Sequence, residues 1–122
     1  MASHTNRELD LMLAGVKPFA AFLLDGGLTE DETLSGQPFA GHVAAGRIVR
    51  MERATKEMGM DGQPMRRLLF ALPGEEWRFE LYIALMDLLT REGWSYEKER
   101  QEGTLLGYTD AENDVHIARL MA

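Results

Sequence analysis

The chain has 122 residues and carries 20 acidic against 13 basic side chains, for a net charge of −7. That length suits one domain able to bury its own core, and the acidic balance repels phosphate backbones at long range, which disfavours nucleic acid as a partner. The sequence has no cysteine, which excludes disulfides, thiolate metal sites and cysteine nucleophiles; without a signal-like start or a stretch of about 18 apolar residues, no membrane span and a cytoplasmic setting are expected.

The start, SHTNRELDLMLAG, places Thr5 three residues before Glu8, the spacing of a capping box, and predicts a helix over about 6–14. Leu9, Leu13 and Val16, with Met12 beside them, would form its buried face, and Gly15 can end it in the left-handed conformation. The run PFAAFLLD, bounded by Pro18 and the Asp25-Gly26-Gly27 turn signal, reads as a buried strand. Residues 28–46 are rich in Gly, Thr, Glu and Asp and read as a long connection with a single helical turn beginning at Thr29. Connections of that length are often functional.

The next segment, GRIVRMERATKEMG, fits two periods. Ile48, Met51, Thr55 and Met58 make a helical stripe, with Glu52 and Lys56 spaced for an i,i+4 pair. Extended instead, the segment forms an antiparallel hairpin with MRRLLFAL through the turn GMDG and gives the Pro18 strand a sheet to join. Strand is the reading adopted.

After LPGEEW, helical spacing over about 75–92 puts Trp77, Leu81, Ala84, Leu85 and Leu88 on one side and Phe79, Tyr82, Ile83, Met86 and Leu89 on the other. A helix so widely apolar must be covered on more than one side, by a sheet and by other helices or another subunit. Burial of Trp77 would make its replacement by alanine cost about 3–5 kcal/mol. A weak helix near 97–106 interrupted by Gly103, a break at Gly107 and a last helix from about Asp110, with Thr109 and Glu112 in capping-box spacing, complete the chain. Together these elements define a single α+β domain, in which about three antiparallel strands pack against the long central helix and terminal helices flank them.

Few residues carry chemistry by their spacing. Glu75 and Glu76 suit the amide-rich start of a helix better than a catalytic pair, since neighbours on a helix diverge in direction. His4, His42 and His116 are widely separated and form no paired metal-binding spacing. DAENDVHIARLMA imitates a calcium loop but has Val115 where glycine is required and Met121 where glutamate is required. No phosphate loop or nucleophile elbow occurs. Most methionines suit core filling, and Trp94, Tyr96 and Tyr108 suit closure of the core more than a groove. Nothing implies a cofactor or a metal.

Two features leave room for a site. Residues 47–67 hold six bases and three acids, a local excess that is either a solvated surface or a small anion-binding or docking patch. His42, Arg47, Glu76 and Arg78 could converge at one end of the sheet as a polar pocket, with His42 as proton carrier, Arg47 as anion binder and Glu76 as acid or orienting group.

The end segments RELDLMLAGVKPFAAF and EGTLLGYTDAENDVHI resemble those of a family of small uncharacterised bacterial proteins. The resemblance covers about a third of the chain and implies no activity. The expectation is therefore a cytoplasmic binding or protein-interaction domain that self-associates as a homo-oligomer through apolar surface left uncovered. The alternative is a small ligand-processing enzyme using the His42, Arg47, Glu76 and Arg78 pocket.

Overall fold

A computed structural model describes residues 6–122. In chain order the elements are α1 (Glu8–Leu13), β1 (Phe19–Leu24), α2 (Glu30–Thr33), α3 (Phe39–Ala44), β2 (Val49–Met58), β3 (Pro64–Ala71), α4 (Trp77–Glu92), α5 (Tyr96–Leu105) and α6 (Asp110–Met121). The strands form one antiparallel sheet in the order β1-β3-β2, with Phe19 opposite Ala71 and Val49 opposite the same residue on the other side. The α+β fold expected from the sequence is the fold observed.

Strand alternation divides the core in two. Ala20, Leu68 and Phe70 point to one face, where Leu9 and Met12 of α1, Leu34 after α2 and Phe39 of α3 cover them together with Ile48. Phe19, Leu69 and Ala71 point to the other face and meet Phe79 and Tyr82 of α4. Phe39 stacks on Phe70 with centroids 4.1 Å apart, and Phe19 meets Tyr82 at 5.2 Å in a tilted pair; such contacts add to the area term of burial. Because both faces are clad, β3 reads as the continuous run Leu68-Leu69-Phe70-Ala71 instead of an alternation, as doubly covered strands do. Ile48 and Met51 belong to opposite clusters, so the helical stripe they suggested is replaced by two faces of a strand.

The connection before β2 is more structured than expected. Thr29 caps α2 in a full capping box with Glu32, while α3 is a second short helix where only a connection is expected. Phe39 is the only buried residue of α3, so there was no apolar period to detect. Gln37 ties this segment to α1: its Oε1 accepts from the Leu9 N–H at 2.9 Å and its Nε2 donates to Glu8 and to the Leu34 carbonyl. The Thr5 capping box lies outside the described residues; α1 begins at Glu8 and Gly15 follows it with φ +74°. Leu13 and Val16, expected in its buried face, are exposed, and Leu9 and Met12 alone bury.

The long helix also departs from expectation on one side. Phe79, Tyr82, Ile83 and Met86 of one apolar side pack on the sheet, while on the other side Trp77 is 54% exposed and Leu81 is 52% exposed. The indole lies against the Arg78 guanidinium, 4.5 Å from its ring centroid, rather than in a core. The 3–5 kcal/mol expected for a buried tryptophan therefore does not apply at this position. Trp94 and Tyr96 likewise do not close the core; they are exposed and meet edge-on at 4.7 Å.

Candidate functional site

The sheet separates the four residues nominated from the sequence. His42 lies on α3 and Arg47 follows that helix, with Arg47 Nη1 3.5 Å from His42 Nδ1 at an exposed position. Glu76 and Arg78 stand at the head of α4, on the opposite face. Glu76 accepts from the Gly74 N–H through both carboxylate oxygens, at 3.0 and 3.1 Å. Arg78 donates to Glu75 Oε2 at 3.0 Å and to the carbonyls of Thr104 and Leu105 at 3.1 and 3.0 Å. Among the described residues no hydrogen bond or ion pair joins the two couples, and none of the clefts described below is lined by any of the four. Neither glutamate of LPGEEW caps a helix amide as expected: Glu76, at the N-cap position, turns back to Gly74, and Glu75 holds the Arg78 that reaches α5.

Part of what remains open on α4 is apolar. Trp77, Leu81, Ala84 and Leu88 recur at the four-and-three spacing of a heptad seam; the first three are exposed and Leu88 is half-buried. Beside this seam Leu81 and Leu85 form, with Thr104 and Leu105 of α5, a groove of about 410 Å³. The α5 helix flanks the seam on the Leu81 side, and Trp77, Leu81 and Ala84 stay exposed among the described residues.

A second cavity, of about 150 Å³, lies between α5 and α6 and is lined by Glu99, Glu102, Tyr108, Asn113 and His116 among others. The Ser95 hydroxyl caps α5 and a Thr109–Glu112 box caps α6, fixing the phase of each helix. Gly103 lets the two helices close: a Cβ there would overlap Asn113 Oδ1. Glu99 Oε1 sits 2.8 Å from His116 Nε2, and Glu99 Oε2 accepts from Trp94 Nε1 at 2.9 Å. Burial acts to raise the Glu99 pKa, but the hydrogen bonds from His116 and Trp94, with the His116 charge, outweigh it and hold the carboxyl below its ordinary range. Glu102 is shifted the other way, raised first by burial and then by the Glu99 charge. The His116–Glu99 pair is a polar rivet between α5 and α6 that sequence spacing could not reveal, since the two residues lie 17 apart and meet only when the helices pack.

Strand alternation also splits the basic segment. Arg50 and Arg66 share the Glu52 carboxylate at 3.2 and 3.0 Å, and Arg50 reaches Glu30 at 3.3 Å. That network is the solvated surface of one face. Arg53 and Arg67 belong to the other face, beneath α4.

Among the described residues no group of three or more His, Asp or Glu is placed to hold a metal ion, and no helix is long and apolar enough to cross a membrane. Fold and surface together define a small α+β domain whose most distinctive exposed features are an apolar helix seam and grooves at its flanks. No family model, curated protein or solved structure matches the chain.

Proposed function

We propose that this chain is a cytoplasmic binding domain that self-associates through the outward seam of α4. The observation that carries the reading is the exposure of Trp77 and Leu81, each more than half accessible, on a helix whose opposite side is already packed on the sheet. A heptad seam is self-complementary: turned about a two-fold axis, Trp77 of one copy lies near Leu88 of the other and Leu81 near Ala84, with the α4–α5 groove beside them to accept side chains. Four apolar positions fall short of the roughly 800 Å² per partner of a standard interface, so the expected affinity is weak, with a Kd on the order of 10 µM. The cytoplasmic setting is the expectation that a cysteine-free sequence raises, and it stands as part of the proposal.

Sedimentation equilibrium of the wild-type chain across the micromolar range tests this directly. A monomer–dimer equilibrium that Leu81→Lys abolishes, with the circular dichroism spectrum unchanged, is the expected result. A wild-type chain that stays monomeric at several hundred micromolar would remove the self-association.

A further inference from the structure

We propose that the cleft between the β2–β3 hairpin and the second half of α4 is a binding site for a small carboxylate with an apolar body. The cleft measures about 390 Å³, within the range of ligand pockets, and its polar wall carries Arg53, Lys56, Arg67 and Arg91 around a floor of Ile83 and Met86. In a chain of net charge −7 this is a concentration of positive charge on half-buried apolar surface.

The register sets two arginines of the cleft against each other. Arg53 and Arg67 are direct cross-strand partners, and like charges placed opposite each other in a sheet destabilise it. Glu80 relieves one of them, accepting from Arg53 Nη2 at 2.9 Å. Among the described residues no hydrogen bond or ion pair engages the side chains of Lys56, Arg67 or Arg91. Two carboxylates, Glu57 and Asp87, also line the cleft and are likewise without an ion pair. Glu80 holds Arg53 and the Glu102 carboxylate acts on Arg67 from α5, so the cleft is not short of negative charge; what it offers is side-chain donors of Lys56, Arg67 and Arg91 that no hydrogen bond among the described residues occupies.

Those open donors select the ligand by shape, since an arginine fork matches a carboxylate in two parallel hydrogen bonds. The floor adds a requirement that a bare inorganic ion does not meet. Ile83 and Met86 are half-buried, and methionine adapts to aliphatic or aromatic chains alike. The Thr55 and Thr90 hydroxyls donate to the carbonyls of Met65 and Met86, so the arginines and the lysine are left as the donors that face an incoming anion. A nucleic acid is a poorer fit, because the acidic remainder of the surface repels a polyanion that extends beyond the cleft.

The test is titration of the full chain with octanoate, followed by amide chemical shifts and calorimetry, with 1-octanol, inorganic phosphate and a single-stranded oligonucleotide as comparison probes. Octanoate should saturate and shift the amides of residues 53–57, Arg67, Ile83 and Met86. Both Arg67→Gln and Arg91→Gln should weaken it by at least tenfold. Arg67→Gln also removes the cross-strand repulsion and should leave the thermal midpoint unchanged or higher; Arg91 is exposed on the helix surface, so its variant keeps the test decisive if the first is poorly folded. Octanol binding as tightly as octanoate would overturn the anion requirement, and phosphate matching octanoate would overturn the apolar body. An oligonucleotide displacing octanoate at 150 mM salt would replace the small ligand by nucleic acid. Shifts confined to Leu81, Leu85 and Leu105, or affinities indifferent to both arginine substitutions, would place binding elsewhere and end the proposal.

Discussion

Lys17 is the sharpest test of the packing described above. It is 2% exposed between α1 and β1, and its Nζ donates to the Leu106 carbonyl at 2.6 Å while standing 5.6 Å from the centre of the Tyr108 ring. Burial lowers its pKa from 10.5 to about 8, the Glu8 carboxylate opposing and the Arg78 guanidinium adding to the fall. At 1.36 kcal/mol per decade of acidity, the displacement is worth roughly 3 kcal/mol in favour of the neutral amine in the folded chain. Between pH 8 and 10.5 the unfolded chain holds a proton that the folded chain has released, so the Lys17 contribution makes stability climb as the pH rises through that window. Tyr82 acts in the opposite sense at higher pH, since burial raises its pKa to about 12 and its contribution falls as the pH rises above 10. Lys17→Met removes the first effect and leaves the second. At pH 7 the variant loses a hydrogen bond to a buried carbonyl, about 1–3 kcal/mol, but also sheds the buried charge, so the two proteins should lie within about 2 kcal/mol of each other. By pH 10 the wild-type should have gained roughly 2–3 kcal/mol on the variant. Urea unfolding followed by circular dichroism at pH 7, 8, 9 and 10 measures the difference. Parallel stability curves for the two proteins across that range would refute the buried, proton-releasing amine.

Two further substitutions probe the same end of the molecule. Glu102→Gln removes a carboxylate whose pKa is raised by burial and by Glu99, so the variant should be more stable than wild-type at neutral pH. Its advantage should vanish once the pH falls below the ordinary carboxylate pKa, where the unfolded chain is protonated too; an advantage that persists under acid would show that charge is not its cause. Gly107→Ala should cost about 2 kcal/mol or more in chemical denaturation, because Gly107 has φ +97° and a Cβ there would stand 2.5 Å from Pro18 Cδ. A thermal midpoint equal to wild-type would mean that the Lys17–Pro18 segment does not rest on the α5–α6 turn.

The strands and the larger helices were legible because their signals are local. Pro18 and the Asp25-Gly26-Gly27 turn bound β1, the Gly59–Gly62 turn joins β2 to β3, and the Thr109–Glu112 box marks the start of α6. Side assignments were harder, since they depend on which neighbour arrives. The two faces of α4 are almost equally apolar in sequence, and only the placement of α5 decides that Leu85 is buried while Leu81, four residues earlier, is not. The same holds for α1, where Leu9 and Met12 meet Phe39 and the sheet but Leu13 points away. A pocket joining His42 and Glu76 requires their elements at the same end of one face; the sheet instead receives α3 on one side and α4 on the other.

Arg53 and Arg67 show why a site can be invisible in a sequence that reads well as a fold. They are 14 residues apart, and their opposition follows from the hairpin register beyond an irregularity between Ala54 and Met58. A slip of one residue would send Arg53 to the face that holds the Glu52 network and Phe70. The local excess of bases between residues 47 and 67 was apparent from composition. Its division was not: alternation sends Arg50 and Arg66 to carboxylates on one face, while Arg53 and Arg67 meet on the other beside Ile83 and Met86. Register therefore turns a diffuse charge pattern into one ion-pair network and one cleft whose Lys56, Arg67 and Arg91 side chains keep open donors, and the second is where ligand chemistry should be sought.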